Sequence, residues 1–285
     1  MSQQTLSTPI AAPVASRTRW KKFFSIENRF LTPIFVTLIL LVGQLSYGML
    51  ESYRRTLLAI GTCVLAELIL GKIFIGKWPH IASAYISGIS VGILIRSPAF
   101  WPYALAALIT IMSKYVLRYK GHHIWNPSNF GISALLFLAG DAVASLSIQW
   151  GNFVLPMLGI WALGLMIVWH VRRYHITLTY VASFLVFAFI RAWMTGNPWQ
   201  AEVAPITGPE YQLFIFFMIT DPKTTVRSVR GQCFVAFSIA LVEMALRLHQ
   251  VVYAPFYALF LVGPPAFILD LWLQSRTKRL QPALA

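Results

Sequence analysis

Acidic residues are scarce in this 285-residue chain: 9 Asp+Glu stand against 23 Lys+Arg, and charged residues make up only 11% of the total. A soluble globular domain carries about 25% charged and about 45–50% apolar residues. Here 58% are hydrophobic and the mean hydropathy is +0.67. That balance excludes a soluble globular protein, and the apolar excess excludes disorder, which requires few such residues. Cysteine is nearly absent. Cys63 and Cys233 both lie inside apolar runs, which excludes a disulfide framework and leaves no iron–sulfur or zinc site to build from cysteines. No metal site is expected.

What the chain does have is apolar runs at regular intervals. They are Phe30–Leu50, Thr56–Ile75, Ile81–Ile95, Phe100–Leu117, Asn129–Ile148, Phe153–Val171, Ile176–Thr195, Tyr211–Thr220, Gln232–Leu248 and Val251–Leu273. At about 20 residues per span, ten membrane helices take roughly 200 residues. The expectation is an all-α polytopic membrane protein. The first run follows a polar arm ending in Arg17, Arg19, Lys21, Lys22 and Arg29; it reads as a signal anchor rather than a cleaved signal peptide. The third and eighth runs are short and end at Arg96-Ser97-Pro98 and Thr220-Asp221-Pro222. Short, Pro-interrupted segments at matching places in two halves point to a binding site.

With the N-terminus inside, 18 of the 23 basic residues fall in inner segments, and Arg54, Arg55, Arg96, Arg191 and Arg247 fall outside. This is the positive-inside bias, with both termini cytoplasmic, as in a bacterial inner-membrane protein. The net charge of +14 is therefore a topology signal. The bilayer is the expected partner, and nucleic acid is not.

The halves also resemble each other. Leu117-Arg118, Trp125 and Pro127 precede one apolar helix; Leu246-Arg247, Tyr253 and Pro255 precede another; and Pro98 matches Pro222. Five spans per half is odd, so the second copy is expected to be inverted, with its site near the midplane. The organisation expected is a flexible cytoplasmic tail (1–29), membrane repeats (30–148 and 149–273) and a cytoplasmic C-terminal tail (274–285).

Two polar stretches interrupt the apolar sequence. In the first, Gly121-His122-His123-Ile124-Trp125-Asn126-Pro127-Ser128-Asn129-Phe130-Gly131, the Asn-Pro break exposes the unpaired N–H groups of a helix start. The second, Met218-Ile219-Thr220-Asp221-Pro222-Lys223-Thr224-Thr225, sets a carboxylate, an ammonium and three hydroxyls at another break. Together they suit a planar heterocycle with polar edges, or a phosphate or ribityl tail. Plain helix capping at a membrane surface would use the same residues.

These stretches, with Tyr85–Leu94 and Trp101-Pro102, resemble the NqrB/RnfD family, the membrane subunits of Na⁺-translocating NADH:quinone oxidoreductase and of Rnf complexes. Its asparagine-proline motif matches Asn126-Pro127, and its threonine-aspartate-proline motif matches Thr220-Asp221-Pro222. The resemblance covers nearly all of residues 30–273. It implies a ten-helix inverted-repeat scaffold similar to urea transporters, and flavin-mediated electron transport with other membrane or redox subunits, coupled to ion translocation. It implies a flavin site at His123, Trp125, Asn126, Pro127, Asn129, Thr220, Asp221, Pro222, Lys223 and Thr224. The family's covalent-FMN threonine motif has no match between residues 138 and 152, so riboflavin or FMN would bind non-covalently. Short RnfD-like members associated with enediyne biosynthesis clusters look more similar than the pump subunits. A small-molecule or ion transporter on the same scaffold, without redox activity, is the alternative.

Few ionisable residues fall inside the runs: Glu67, Lys114, Arg191, Glu243 and Arg247. A charge within a span costs about 2.5–3.5 kcal/mol on insertion scales, so each is a functional candidate. Lys114 and Glu243 hold matching positions in the two halves. One reading pairs them near the pseudo-two-fold axis, with Glu67 nearby on an ion or proton path; for Lys114, within one turn of a helix end, snorkelling is the preferred reading.

Overall fold

The computed structural model describes residues 52–145, 154–221 and 224–280, with scattered positions from 33 to 45. Most of the expected first span lies outside the described residues. Among the described residues the regular elements are helices and one small hairpin. The helices are α1 (Tyr53–Ile75), α2 (Ala82–Leu94), α3 (Trp101–Val116), α4 (Pro127–Leu138), α5 (Val154–His170), α6 (Tyr174–Thr195), α7 (Trp199–Val203), α8 (Pro209–Leu213), α9 (Val229–Leu248) and α10 (Ala254–Leu280). A 3₁₀ turn (Ala204–Thr207) leads into α8, and α8 continues as a π-helical turn over Phe214–Met218. Strands β1 (Arg118–Tyr119) and β2 (His122–His123) join α3 to α4.

Among the described residues four helices are long and apolar enough to cross a bilayer: α1, α6, α9 and the stretch Ala254–Ser275 of α10. They bear large exposed apolar side chains such as Leu57, Phe189, Phe234 and Leu269. With no water in a hydrocarbon core, backbone groups must be satisfied within the segment, and helices do this. The chain is an all-α protein of membrane character.

The run from Asn129 to Ile148, expected as one span, behaves differently. Its helix ends at Leu138, and Ala139 caps it outside helical geometry. The chain then turns, and Ala144 exchanges two 2.8 Å backbone hydrogen bonds with Arg96. Hydropathy alone carried the expectation past this point; the Gly140-Asp141 turn ends the helix because a backbone partner is available on the loop after α2. The short third and eighth segments are short here too, at 13 residues in α2 and 10 from Pro209 to Met218.

In the first half α1 packs on α2 and α3, and α3 on α4; in the second α9 packs on α6 and α10. The α1–α2 crossing is close because α2 presents Gly88-x-x-x-Gly92. A Cβ on Gly88 would lie 2.5 Å from the Ile60 Cα, and one on Gly92 would lie 2.8 Å from the Thr56 Cγ2. Small residues four apart let membrane helices approach backbone to backbone, where dispersion replaces the missing hydrophobic drive.

Candidate functional site

Asn126 forms the N-cap of α4, its Oδ1 accepting from the Asn129 N–H at 3.1 Å. Pro127 fills the first helical turn, where no N–H is needed. The break leaves the Asn126 amide free to reach the other half of the chain. Its Nδ2 donates to Asp221 Oδ2 at 3.3 Å and to the Met218 carbonyl at 3.5 Å. The two motifs, 95 residues apart, thus meet. Asp221 Oδ2 also accepts from Thr224 Oγ1 at 3.2 Å, and its backbone carbonyl accepts from Thr225 Oγ1 at 2.5 Å.

Trp125 and Asn129 close the junction against α10, and the reason lies in Pro264. A proline there has no N–H to give to the Phe260 carbonyl one turn back. The Trp125 indole supplies the missing donor at 3.1 Å. Asn129 Nδ2 and Ser133 Oγ both donate to the Phe256 carbonyl, at 3.2 and 3.4 Å. Trp125, Phe130 and Phe260 pack as an aromatic trio with centroids 5.5–5.7 Å apart.

Between the motifs lies a cavity of about 20 Å³ bounded by Trp125, Asn126, Asn129, Met218, Thr224 and Thr225, among others. One water needs about 10–15 Å³ measured this way, so the cavity has room for a single water-sized species. Asn129 is 1% exposed, and its Oδ1 has no hydrogen-bond partner among the described residues. A buried acceptor of this kind calls for a donor or a cation. An isoalloxazine does not fit: the space is too small, and Trp125, Asn126 and the Asn129 amide already spend their donors on protein atoms.

The other expected site residues divide. His123 sits in β2, paired with Arg118 and away from the cavity. Thr220 turns its hydroxyl back to the Phe216 carbonyl at 2.5 Å. Pro222 and Lys223 lie outside the described residues. Arg173, which sequence reasoning did not single out, faces the Asp221 charge; burial lowers its pKa and the carboxylate of Asp221 partly offsets this.

The membrane charges form two clusters instead of the expected pair. Lys114 donates to Glu67 Oε2 at 2.5 Å and to Ser83 Oγ at 3.3 Å, while Tyr115 donates to Glu67 Oε1 at 3.0 Å. Glu243, fully buried, accepts from the Tyr180 and Tyr211 hydroxyls and from Arg247 Nε at 2.8 Å. The expected Lys114–Glu243 pair is therefore corrected. Lys114 lies in the last turn of α3 and is held by Glu67 of α1, whereas Glu243 is held by Tyr180, Tyr211 and Arg247. Snorkelling of Lys114 is also set aside, since its side chain is 10% exposed and held by Glu67.

Two further ion pairs were not foreseen. Arg96 pairs with Glu210 at 3.1 Å, both side chains buried. Arg191 Nε meets Glu202 Oε2 at 2.8 Å, and Arg191 and Arg247 both lie over the Phe184 ring, 5.3 and 5.8 Å from its centroid. Burial pushes the Glu202 carboxyl up, but hydrogen bonds from Arg191 and Asn197 and the Arg191 charge outweigh it and hold the group below its ordinary range. Among the described residues no group of three or more His, Cys, Asp or Glu is placed to hold a metal ion.

Fold and site thus define a class: a helical, membrane-embedded protein with a polar junction between two helix breaks. No protein-family model matches the chain, and no curated protein matches it.

Proposed function

We propose that this protein is an inner-membrane subunit of RnfD/NqrB type built as two inverted five-segment repeats, in which the short segments enter the bilayer without crossing it. In this reading it serves an electron-transport assembly by conducting a proton or small cation through the junction of its halves. The observation that carries the reading is the meeting of Asn126 and Asp221, the two breaks that the resemblance singles out. Its place in a redox assembly rests on that resemblance. Support for the repeat comes from the Pro-ended short segments of each half and from a buried carboxylate–cation–tyrosine cluster in each.

No step is assigned to a flavin at this junction, because none fits there. The chain's own residues act as follows. The Asp221 carboxylate holds the proton or cation, Asn126 and Thr224 fix its orientation, and Asn129 Oδ1 accepts from the water or ion in the cavity. Arg173 supplies the opposing charge. Ionisable groups placed within the membrane are expensive and mark such paths, and Glu67 with Lys114, and Glu243 with Arg247, provide its further stations.

The test is ion flux in proteoliposomes under an imposed membrane potential, reading internal pH and sodium. Asp221→Asn is expected to abolish the flux while the protein still folds. Unchanged flux in that variant would overturn the reading. The small cavity favours a second reading, a solute or ion transporter on the same scaffold without redox partners. Purification from native membranes separates the two: co-purifying flavin absorbance and redox subunits support the first, and a colourless, solitary protein supports the second.

A further inference from the structure

The hairpin between α3 and α4 takes no part in the proposed ion path. Its turn is Lys120-Gly121, with φ of 50° and 84°; both residues are left-handed, as a tight two-residue hairpin turn requires. The pairing of Arg118 with His123 and Tyr119 with His122 fixes the arms. The His122 ring packs edge-on against Phe267 of α10 at 6.1 Å. The hairpin is therefore docked on α10, with Arg118 and Lys120 both exposed.

Beside it runs an open groove of about 540 Å³ walled by Tyr119, Pro265, Ile268, Leu269 and Trp272. The wall is apolar, and Leu269 and Trp272 are 55% and 41% exposed. At its rim the Lys120 ammonium stands 5.3 Å from the centre of the Tyr119 ring. The Arg118 guanidinium donates to the Gly121 carbonyl at 3.1 Å, which holds it at the hairpin. An apolar trough on a membrane helix, whose wall includes the tyrosine flanked in the chain by two exposed cations, matches a molecule with an acyl chain and a negative head. A tryptophan in the wall, Trp272, suits the headgroup boundary, where amphipathic rings settle.

We infer that this groove binds an anionic phospholipid, its acyl chain along α10 and its phosphate at Arg118 and Lys120. A zwitterionic lipid would fill the same trough, but its own cation would oppose the two basic residues. Each basic residue near an anionic lipid surface contributes about 1 kcal/mol, or roughly a fivefold change in affinity. The Arg118→Ala/Lys120→Ala pair should then weaken anionic-lipid binding about thirtyfold.

The experiment is native mass spectrometry of the full chain in neutral detergent, titrated with phosphatidylglycerol or with phosphatidylcholine of the same chains. Retention of phosphatidylglycerol over phosphatidylcholine is expected, and it should vanish in the double variant. Ile268→Trp, which narrows the trough, should reduce retention of both lipids. Equal retention of the two lipids by the parent protein would overturn the inference, as would a double variant that keeps the preference. Glycerol 1-phosphate, the headgroup without chains, should not displace the lipid; full displacement would show an anion site rather than a lipid site. Both substituted cations are exposed, and an unchanged melting temperature in phosphatidylcholine checks that the variants fold.

Discussion

Replacing Lys114 by methionine removes the cation from a carboxylate that has few other partners. Glu67 Oε2 lies 2.5 Å from Lys114 Nζ, and the two side chains are 10% and 7% exposed. After the change Glu67 keeps only the Tyr115 hydroxyl at 3.0 Å among the described residues. Breaking a buried pair at one partner costs about 3–5 kcal/mol, because a desolvated charge is left without its counter-charge. At about 1.4 kcal/mol per factor of ten, that multiplies the unfolding equilibrium constant by roughly a hundred to a few thousand. Removing both charges together in Glu67→Gln/Lys114→Met leaves no orphan ion, and a pair of buried ions is often replaced at little net cost. The double variant should therefore recover most of what the single one loses. Reversible unfolding in mixed micelles measures both. A Lys114→Met protein as stable as the parent, or a double variant no better than the single, would refute the reasoning.

Other predictions follow from the packing and the site. Gly88→Val sets a side chain 2.5 Å from the Ile60 Cα and should cost about 1–3 kcal/mol or more as α1 and α2 separate, read as a lowered midpoint in the same unfolding assay. Trp125→Phe keeps the ring but leaves the Phe260 carbonyl without its donor, at a cost of about 1–3 kcal/mol; an unaltered midpoint would show that this carbonyl finds another partner. The Glu202 carboxyl, depressed in the folded protein, contributes stability that is full above its ordinary value of 4.5 and is lost as pH falls through its lower folded value. Stability followed from pH 7 downward should fall in that acid range in the parent, and Glu202→Gln should remove that part of the fall.

Much of the architecture was legible because its causes are local. Transfer from water to lipid adds up residue by residue along a run, so the apolar stretches around α1, α6, α9 and α10 announced themselves. Proline acts on its own turn, so the breaks at Asn126-Pro127 and Asp221-Pro222 could be named. The ending of α4 at Leu138 could not, because it depends on the backbone of Arg96, far away in sequence. The same holds for the Trp125 indole. Its need for a carbonyl was readable, but its partner exists only because Pro264 frees the Phe260 oxygen and α10 lies alongside. Arg173 carried no signal beyond its place among the inner basic residues.

The sequence by itself determined that this is a helical membrane protein, where its chain breaks fall and which charges the bilayer must tolerate. Only the tertiary structure decided which charges pair. Lys114 takes Glu67 and Glu243 takes Arg247 because pairing depends on position along the bundle axis and on how each helix is rotated. Matching positions in two halves do not fix either. The tertiary structure also set the size of the junction between the motifs, since the donors that could have greeted a large planar ligand are turned onto carbonyls of the opposite half. What that arrangement leaves is room for one small, positively charged or hydrogen-bond-donating species.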